Sequence, residues 1–190
     1  MTPIGNSAPA TWEAAVAGRS GIDVIRSFDA SAFPVRIAAE VKGFEVGDIA
    51  PPKEARRMER NVLLALASAR EAWADSGIEQ YDRERAGIVL GSAIGGVVGI
   101  VEQAEILRER GPDRVSPFFL PNVLVDSASG QIAISLGLRG PNYAPVSACA
   151  TGSHAVGEAA ETIKRGAADI VLAGGTEACM HPLKIGRAHV

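Results

Sequence analysis

The 190-residue chain is 47% hydrophobic and only 5% aromatic, with 21 glycines, a composition that suits closely packed α/β structure and excludes disorder or a disulfide scaffold. Its 19 basic and 22 acidic side chains leave a formal charge of −3, so no global basic field argues for nucleic acid. Cys149 and Cys179 have no CxxC spacing, which argues against a metal site and for a reduced, cytoplasmic setting.

No apolar run reaches the ~18 residues of a membrane span. The start carries no basic-then-apolar signal pattern, so neither membrane nor export is expected. The length allows one domain with a real core.

In chain order, a short helix is predicted first, with Thr11 as N-cap and Gly18 as stop. Residues 22–52 read as turns with scattered apolar side chains, ending at Pro51-Pro52. Met58, Val62, Leu66, Ala69 and Trp73 recur at helical spacing and predict one long helix from Lys53 to Gly77. The run 86-AGIVLGSA-93 reads as a buried strand, followed by Gly95-Gly96 and a helix over 98–110. Residues 116–142 carry two early prolines, a helix-like apolar stripe and a Gly-Pro turn. Strand 143–148, helix 151–165 and strand 169–175 form a βαβ unit with parallel strands.

Cys149 stands at the junction of the strand and the helix in this unit, flanked by Ala148, Ala150, Thr151 and Gly152. Reactive groups of open α/β sheets gather at carboxyl ends of strands. The free N–H groups of a helix start favour a thiolate there and can hold a developing oxyanion. Small neighbours permit a sharp turn and let an acyl group approach. Most free cysteines are inert packing, and Cys179, with no helix start behind it, reads as core.

The stretch SACATGSHAVGEAAETIKRGAADIVLAGGTEA resembles the nucleophile region of the β-ketoacyl-acyl carrier protein synthases, the condensing enzymes of the thiolase-like fold. TPIGNSAPATWEAAVAGRSGI, RRMER, GSAIGG, SPFFLPN and GLRGPN stand in the family's order, so the likeness covers nearly the whole chain. The nearest subgroup elongates medium to long acyl chains in bacterial fatty acid synthesis; ketosynthases of type II polyketide pathways carry related chains. The resemblance implies the N-terminal half of the thiolase-like fold, a mixed and largely parallel sheet between helical layers.

It further implies that Cys149 accepts the acyl chain as a thioester and that its backbone N–H is one oxyanion donor. Ile94 and Phe119 would line the acyl pocket, near a homodimer interface. Lys53, Arg56 and Arg57 would dock the acidic acyl carrier protein, as electrostatic steering favours. No cofactor or metal is implied.

The family's two catalytic histidines and its second oxyanion donor match nothing here. The histidines are His154, His181 and His189, and His154, five residues past Cys149, reads as structural or interfacial. The family's first strand reads as missing before Met1, which would leave an unpaired sheet edge. The likeness runs to Leu183, and residues 184–190, KIGRAHV, which one codon choice turns into a common sequencing adapter, read as a non-native read-through tail. The expected domain is therefore 1–183, inactive alone in condensation. A non-catalytic partner or dimerisation module is a further reading, against which Cys149 argues. A thiolase acting on coenzyme A substrates fits GSAIGG and SPFFLPN less well.

Overall fold

A computed structural model describes residues 1–47 and 49–185. Helix α1 (Ala8–Val16) is capped by Ser7, whose hydroxyl accepts the Ala10 N–H at 3.2 Å. Thr11, the expected cap, lies inside the helix instead; its hydroxyl donates to the Gly5 carbonyl at 3.2 Å. Pro9, which has no N–H to lose, fits the first turn and lets the helix begin earlier. Gly18 ends it at φ +64°. A two-residue antiparallel pair, β1 (Asp23–Val24) and β2 (Ile37–Ala38), interrupts the turns of the next segment.

The helix expected from Lys53 to Gly77 is two helices, α2 (Pro52–Ala55) and α3 (Arg60–Asp75). Glu59 is extended, with ψ 153°, and breaks the run. Met58 still packs against the core, but from the turn. Val62, Leu66 and Ala69 of α3 are buried as the helical spacing requires, and Gly77 closes the helix at φ +65°.

Strand β3 (Ala86–Gly91) is buried along its whole length, as befits a central parallel strand covered on both faces. Helix α4 (Val97–Arg110), the short α5 (Phe119–Val123) and α6 (Ser127–Leu136) follow. Strand β4 is only Asn142–Tyr143, shorter than expected, because Pro145 has no N–H for a ladder and the chain then turns. Helix α7 (Thr151–Lys164), strand β5 (Ile170–Gly175) and the short α8 (Pro182–Ile185) complete the order.

The sheet has the order β4-β3-β5 and is parallel throughout. The two strands of the predicted βαβ unit are parallel, with β3 between them. The pairing of β3 with β5 runs over six residues, from Ala86–Ile170 to Gly91–Gly175, and among the described residues β4 and β5 are the outer strands of this sheet. At the start of this pair the Arg85 Nε donates to the Asp169 carboxylate at 2.6 Å.

Alternation along β3 divides the core into two layers. Ala86, Ile88 and Leu90 pack with Val62 and Leu66 of α3 and Ile132 of α6. Val89 points the other way, to Ala155 and Ala159 of α7. Among the described residues no helix is long and apolar enough to cross a membrane. Of the expected tail at 184–190, residues 186–190 lie outside the described residues.

Candidate active site

After β4 the chain passes Pro145 and reaches Ser147, with φ −150° and ψ 45°. Ala148 follows at φ +50°, the sole non-glycine residue with positive φ among the described residues. A left-handed L-residue costs roughly 1–2 kcal/mol, so neighbouring contacts must hold it. Residues 148–150 form a 3-10 turn that runs directly into α7, and Cys149 sits in it, exposed. The predicted sharp turn with an accessible thiol at a helix start is therefore present.

Four hydrogen bonds close the turn. The buried Thr151 hydroxyl accepts the Ser147 N–H at 2.9 Å and donates to the Ala148 carbonyl at 2.8 Å. The Ala150 N–H donates to the Ser147 carbonyl at 3.0 Å. The Ser147 hydroxyl lies 2.6 Å from His154 Nδ1. His154, expected to be structural or interfacial, is thus bonded from α7 to the turn that carries the cysteine.

Glycines bring the strand ends to this turn. A Cβ on Gly91 would stand 2.2 Å from the Pro145 carbonyl oxygen and 2.7 Å from Thr151 Cγ2. One on Gly175 would stand 3.0 Å from Gly152 Cα. Only glycine permits this approach of β3 and β5 to the start of α7. The Glu177 carboxylate then ties the two strand ends, accepting from Ser92 Oγ at 3.2 Å and from the Ala93 N–H at 3.0 Å. GSAIGG and GGTEA are thus two halves of one support, a role the linear sequence did not reveal.

Ile94 stands in the loop after β3 and is 41% exposed. Beside it the Gly96 N–H donates to the Val123 carbonyl at 3.1 Å, which lays the loop on α5, the helix that Phe119 opens half-buried. The structure brings the Ile94 loop and the Phe119 helix together. A cavity of about 960 Å³ lies elsewhere, between α3, β5 and residues 39–43; Leu64, Ala69, Leu172 and Cys179 are in its lining. Cys179 is buried, as expected, and receives a hydrogen bond from Lys184 Nζ.

Lys53, Arg56 and Arg57 are all exposed on α2 and the turn after it. The Arg57 guanidinium lies over the Phe118 ring, 4.1 Å from its centroid. Two residues on, the Glu59 carboxylate accepts the Gly99 N–H in the first turn of α4. Burial pushes the Glu59 carboxyl above the ordinary glutamate range, the nearby Glu102 charge pushes it the same way, and the Gly99 bond partly opposes both. Neither contact was legible in the sequence, since both partners lie in later elements.

Residues 1–189 match the family model described as beta-ketoacyl synthase, N-terminal domain. The 3-oxoacyl-[acyl-carrier-protein] synthase 2 of Coxiella burnetii is 43% identical over 188 residues, covering 98% of this chain and 45% of that protein. The protein of the same name from Staphylococcus aureus is 44% identical over 180 residues, covering 94% of this chain and 44% of its own. The chain therefore spans less than half the length of these curated relatives.

Among solved structures, the ishigamide ketosynthase/chain length factor superposes with a TM-score of 0.83 at 28% identity, over 96% of this chain and 46% of that one. A beta-ketoacyl synthase from Burkholderia phymatum gives 0.82 at 28% identity, over the same shares. The expected fold class, the N-terminal half of the thiolase-like fold, is the one observed; the sheet, expected to be mixed and largely parallel, is parallel in all three of its strands. The chain belongs to the β-ketoacyl synthase family.

Proposed function

We propose that this member of the β-ketoacyl synthase family provides the acyl-accepting half of a decarboxylative condensation in fatty acid synthesis. The observation that carries the reading is Cys149, exposed on a strained turn at the start of α7, in a chain 43–44% identical to proteins named 3-oxoacyl-acyl carrier protein synthase 2. The Cys149 sulfur attacks the thioester carbonyl of an acyl chain borne by acyl carrier protein. A bond from Sγ to the acyl carbon forms, the bond from that carbon to the carrier thiol breaks, and the cysteine's proton ends on the departing thiol. The Cys149 N–H, at a helix start, serves as one donor to the developing oxyanion.

In the second half-reaction malonyl carrier protein loses carbon dioxide, and its enolate attacks the enzyme thioester. That half needs two histidines, and neither His154 nor His181 is assigned to it. Ile94 and Phe119 line the acyl chain's path in this reading. Lys53, Arg56 and Arg57 receive the acidic carrier protein, where exposed charge raises the rate of encounter. The working form is a cytoplasmic homodimer, and no cofactor takes part.

A polyketide ketosynthase is the second reading, which the 28% likeness to the ishigamide ketosynthase/chain length factor favours. The higher identity to the proteins named 3-oxoacyl-[acyl-carrier-protein] synthase 2 supports the first reading over it. Incubation with octanoyl-acyl carrier protein, followed by peptide mass mapping, is the test. The reading expects one octanoyl group on Cys149 and none in Cys149→Ala; labelling elsewhere, or none at all, overturns it. Loading by acetoacetyl-carrier protein in preference to octanoyl would move the assignment to the polyketide class.

A further inference from the structure

Ser147 is held at three points. Its N–H and carbonyl are bonded to Thr151 and Ala150 within the turn. Its hydroxyl is bonded to His154 Nδ1, one helical turn further along α7. The peptide that follows Ser147 leads into Ala148, whose φ of +50° together with its ψ sets where the Cys149 N–H points. A left-handed alanine persists only where its surroundings over-determine it. The Ala150 bond closes a backbone turn, and the Thr151 hydroxyl at the start of α7 holds the Ser147 N–H and the Ala148 carbonyl. The bond to His154 is a second tie to α7, one helical turn beyond Thr151, and the one that holds the Ser147 side chain.

We propose that His154 is a positioning residue: through Ser147 it holds the left-handed Ala148 and so aims the Cys149 N–H at the oxygen of the reacting thioester. The proposal rests on the reading of Cys149 as the acyl-accepting nucleophile. His154 is exposed and Ser147 half-buried, so their bond adds little to global stability while fixing the local geometry. Without it, Ala148 relaxes toward negative φ and the Cys149 amide swings away from the oxyanion position. The thiol itself stays accessible.

Two reagents separate these effects. Transfer of an octanoyl group from octanoyl-N-acetylcysteamine develops negative charge on the carbonyl oxygen and uses the amide donor. Alkylation by iodoacetamide displaces iodide at carbon and develops no such oxyanion. Both are followed at Cys149 by peptide mass mapping of the 190-residue chain and its variants.

His154→Ala is expected to slow octanoyl transfer about tenfold, short of the roughly 10²- to 10³-fold loss of an oxyanion donor removed outright. Alkylation changes less than about twofold, because no oxyanion forms for the amide to stabilise. His154→Asn, which keeps a polar atom near the Nδ1 position, restores transfer, and His154→Gln does not. Ser147→Ala matches His154→Ala, and the double variant is no slower than either.

Octanoyl transfer at the wild-type rate in His154→Ala overturns the proposal. So do parallel losses in both reactions, which would mark general loosening, and additive effects of the two substitutions. If neither reagent labels Cys149 in the wild-type chain, the nucleophile reading itself fails, an outcome distinct from the others.

Discussion

Gly91→Ala puts the geometry of the nucleophile turn to a quantitative test. The new Cβ would lie 2.2 Å from the Pro145 carbonyl oxygen and 2.7 Å from Thr151 Cγ2. Neither neighbour is the loose end of a flexible chain, since one is backbone and the other is buried and bonded to Ser147 and Ala148. The Pro145 segment must therefore retreat by about 1.2 Å or more to reach ordinary contact. Overpacking of this kind costs about 1–3 kcal/mol. The stiffer unfolded chain offsets about 0.4–1 kcal/mol of that, so the net loss is about 1.3 kcal/mol at mid-range.

With a urea m-value of about 1–3 kcal/mol/M the unfolding midpoint should fall by roughly 0.4–1.3 M. Gly157→Ala is the matched control: it sits in α7 with open space where its Cβ would go, and alanine there should add about 0.5–1 kcal/mol. Circular dichroism through a urea series measures both. The reasoning is refuted if Gly91→Ala is as stable as the parent, or if both substitutions shift the midpoint in the same direction.

The core and the charged groups give three more expectations. Ile132 is fully buried between α3, α6 and β3, so Ile132→Ala should cost about 2–5 kcal/mol in the same urea assay. Glu59 has its carboxyl raised by burial and by Glu102; the folded state binds this proton more tightly than the unfolded one, so the penalty holds above the raised range and is relieved as pH falls through it. Glu59→Gln, which keeps an acceptor for the Gly99 N–H, should therefore raise stability at neutral pH, with the gain shrinking in acid. Asp169 behaves oppositely, because its bond to Arg85 holds its carboxyl below the usual range. Its contribution is present at neutral pH and lost as pH falls through the lowered range, so Asp169→Asn should be the less stable protein at pH 7 and converge with the parent in strong acid.

Elements whose signal was a strong local pattern were legible within a residue or two. Strand β3 and helix α7 are examples, the first a β-branched run, the second a helix whose start is announced by the cysteine turn. The break at Glu59 was hidden because Met58, Val62 and Leu66 keep helical spacing across it. What ends α2 is tertiary: Arg57 reaches Phe118 and Glu59 reaches the Gly99 amide, sixty-one and forty residues on. At the candidate site, the small residues around Cys149 announced a sharp turn, but nothing local could say that Gly91 and Gly175 would be the residues pressed against it. Pairing of His154 with Ser147 was equally out of reach, since a histidine on an exposed helix face has no pattern that names its partner.

The break between α2 and α3 also bears on how docking and chain binding are joined. Lys53, Arg56 and Arg57, proposed to receive the carrier protein, lie on one side of it. Phe118 and Phe119 lie side by side at the start of α5, and only the second is proposed to face the acyl chain. A guanidinium over a ring keeps its N–H donors in its own plane, so Arg57 can rest on Phe118 and still present donors to an acidic partner. Lysine could not divide its charge in this way, because its ammonium is a compact point charge with no flat face to stack on the ring. The choice of arginine at 57 thus fits a residue with two neighbours, one inside the chain and one brought to it. The position of a docked carrier and the position of α5 would then depend on the same side chain.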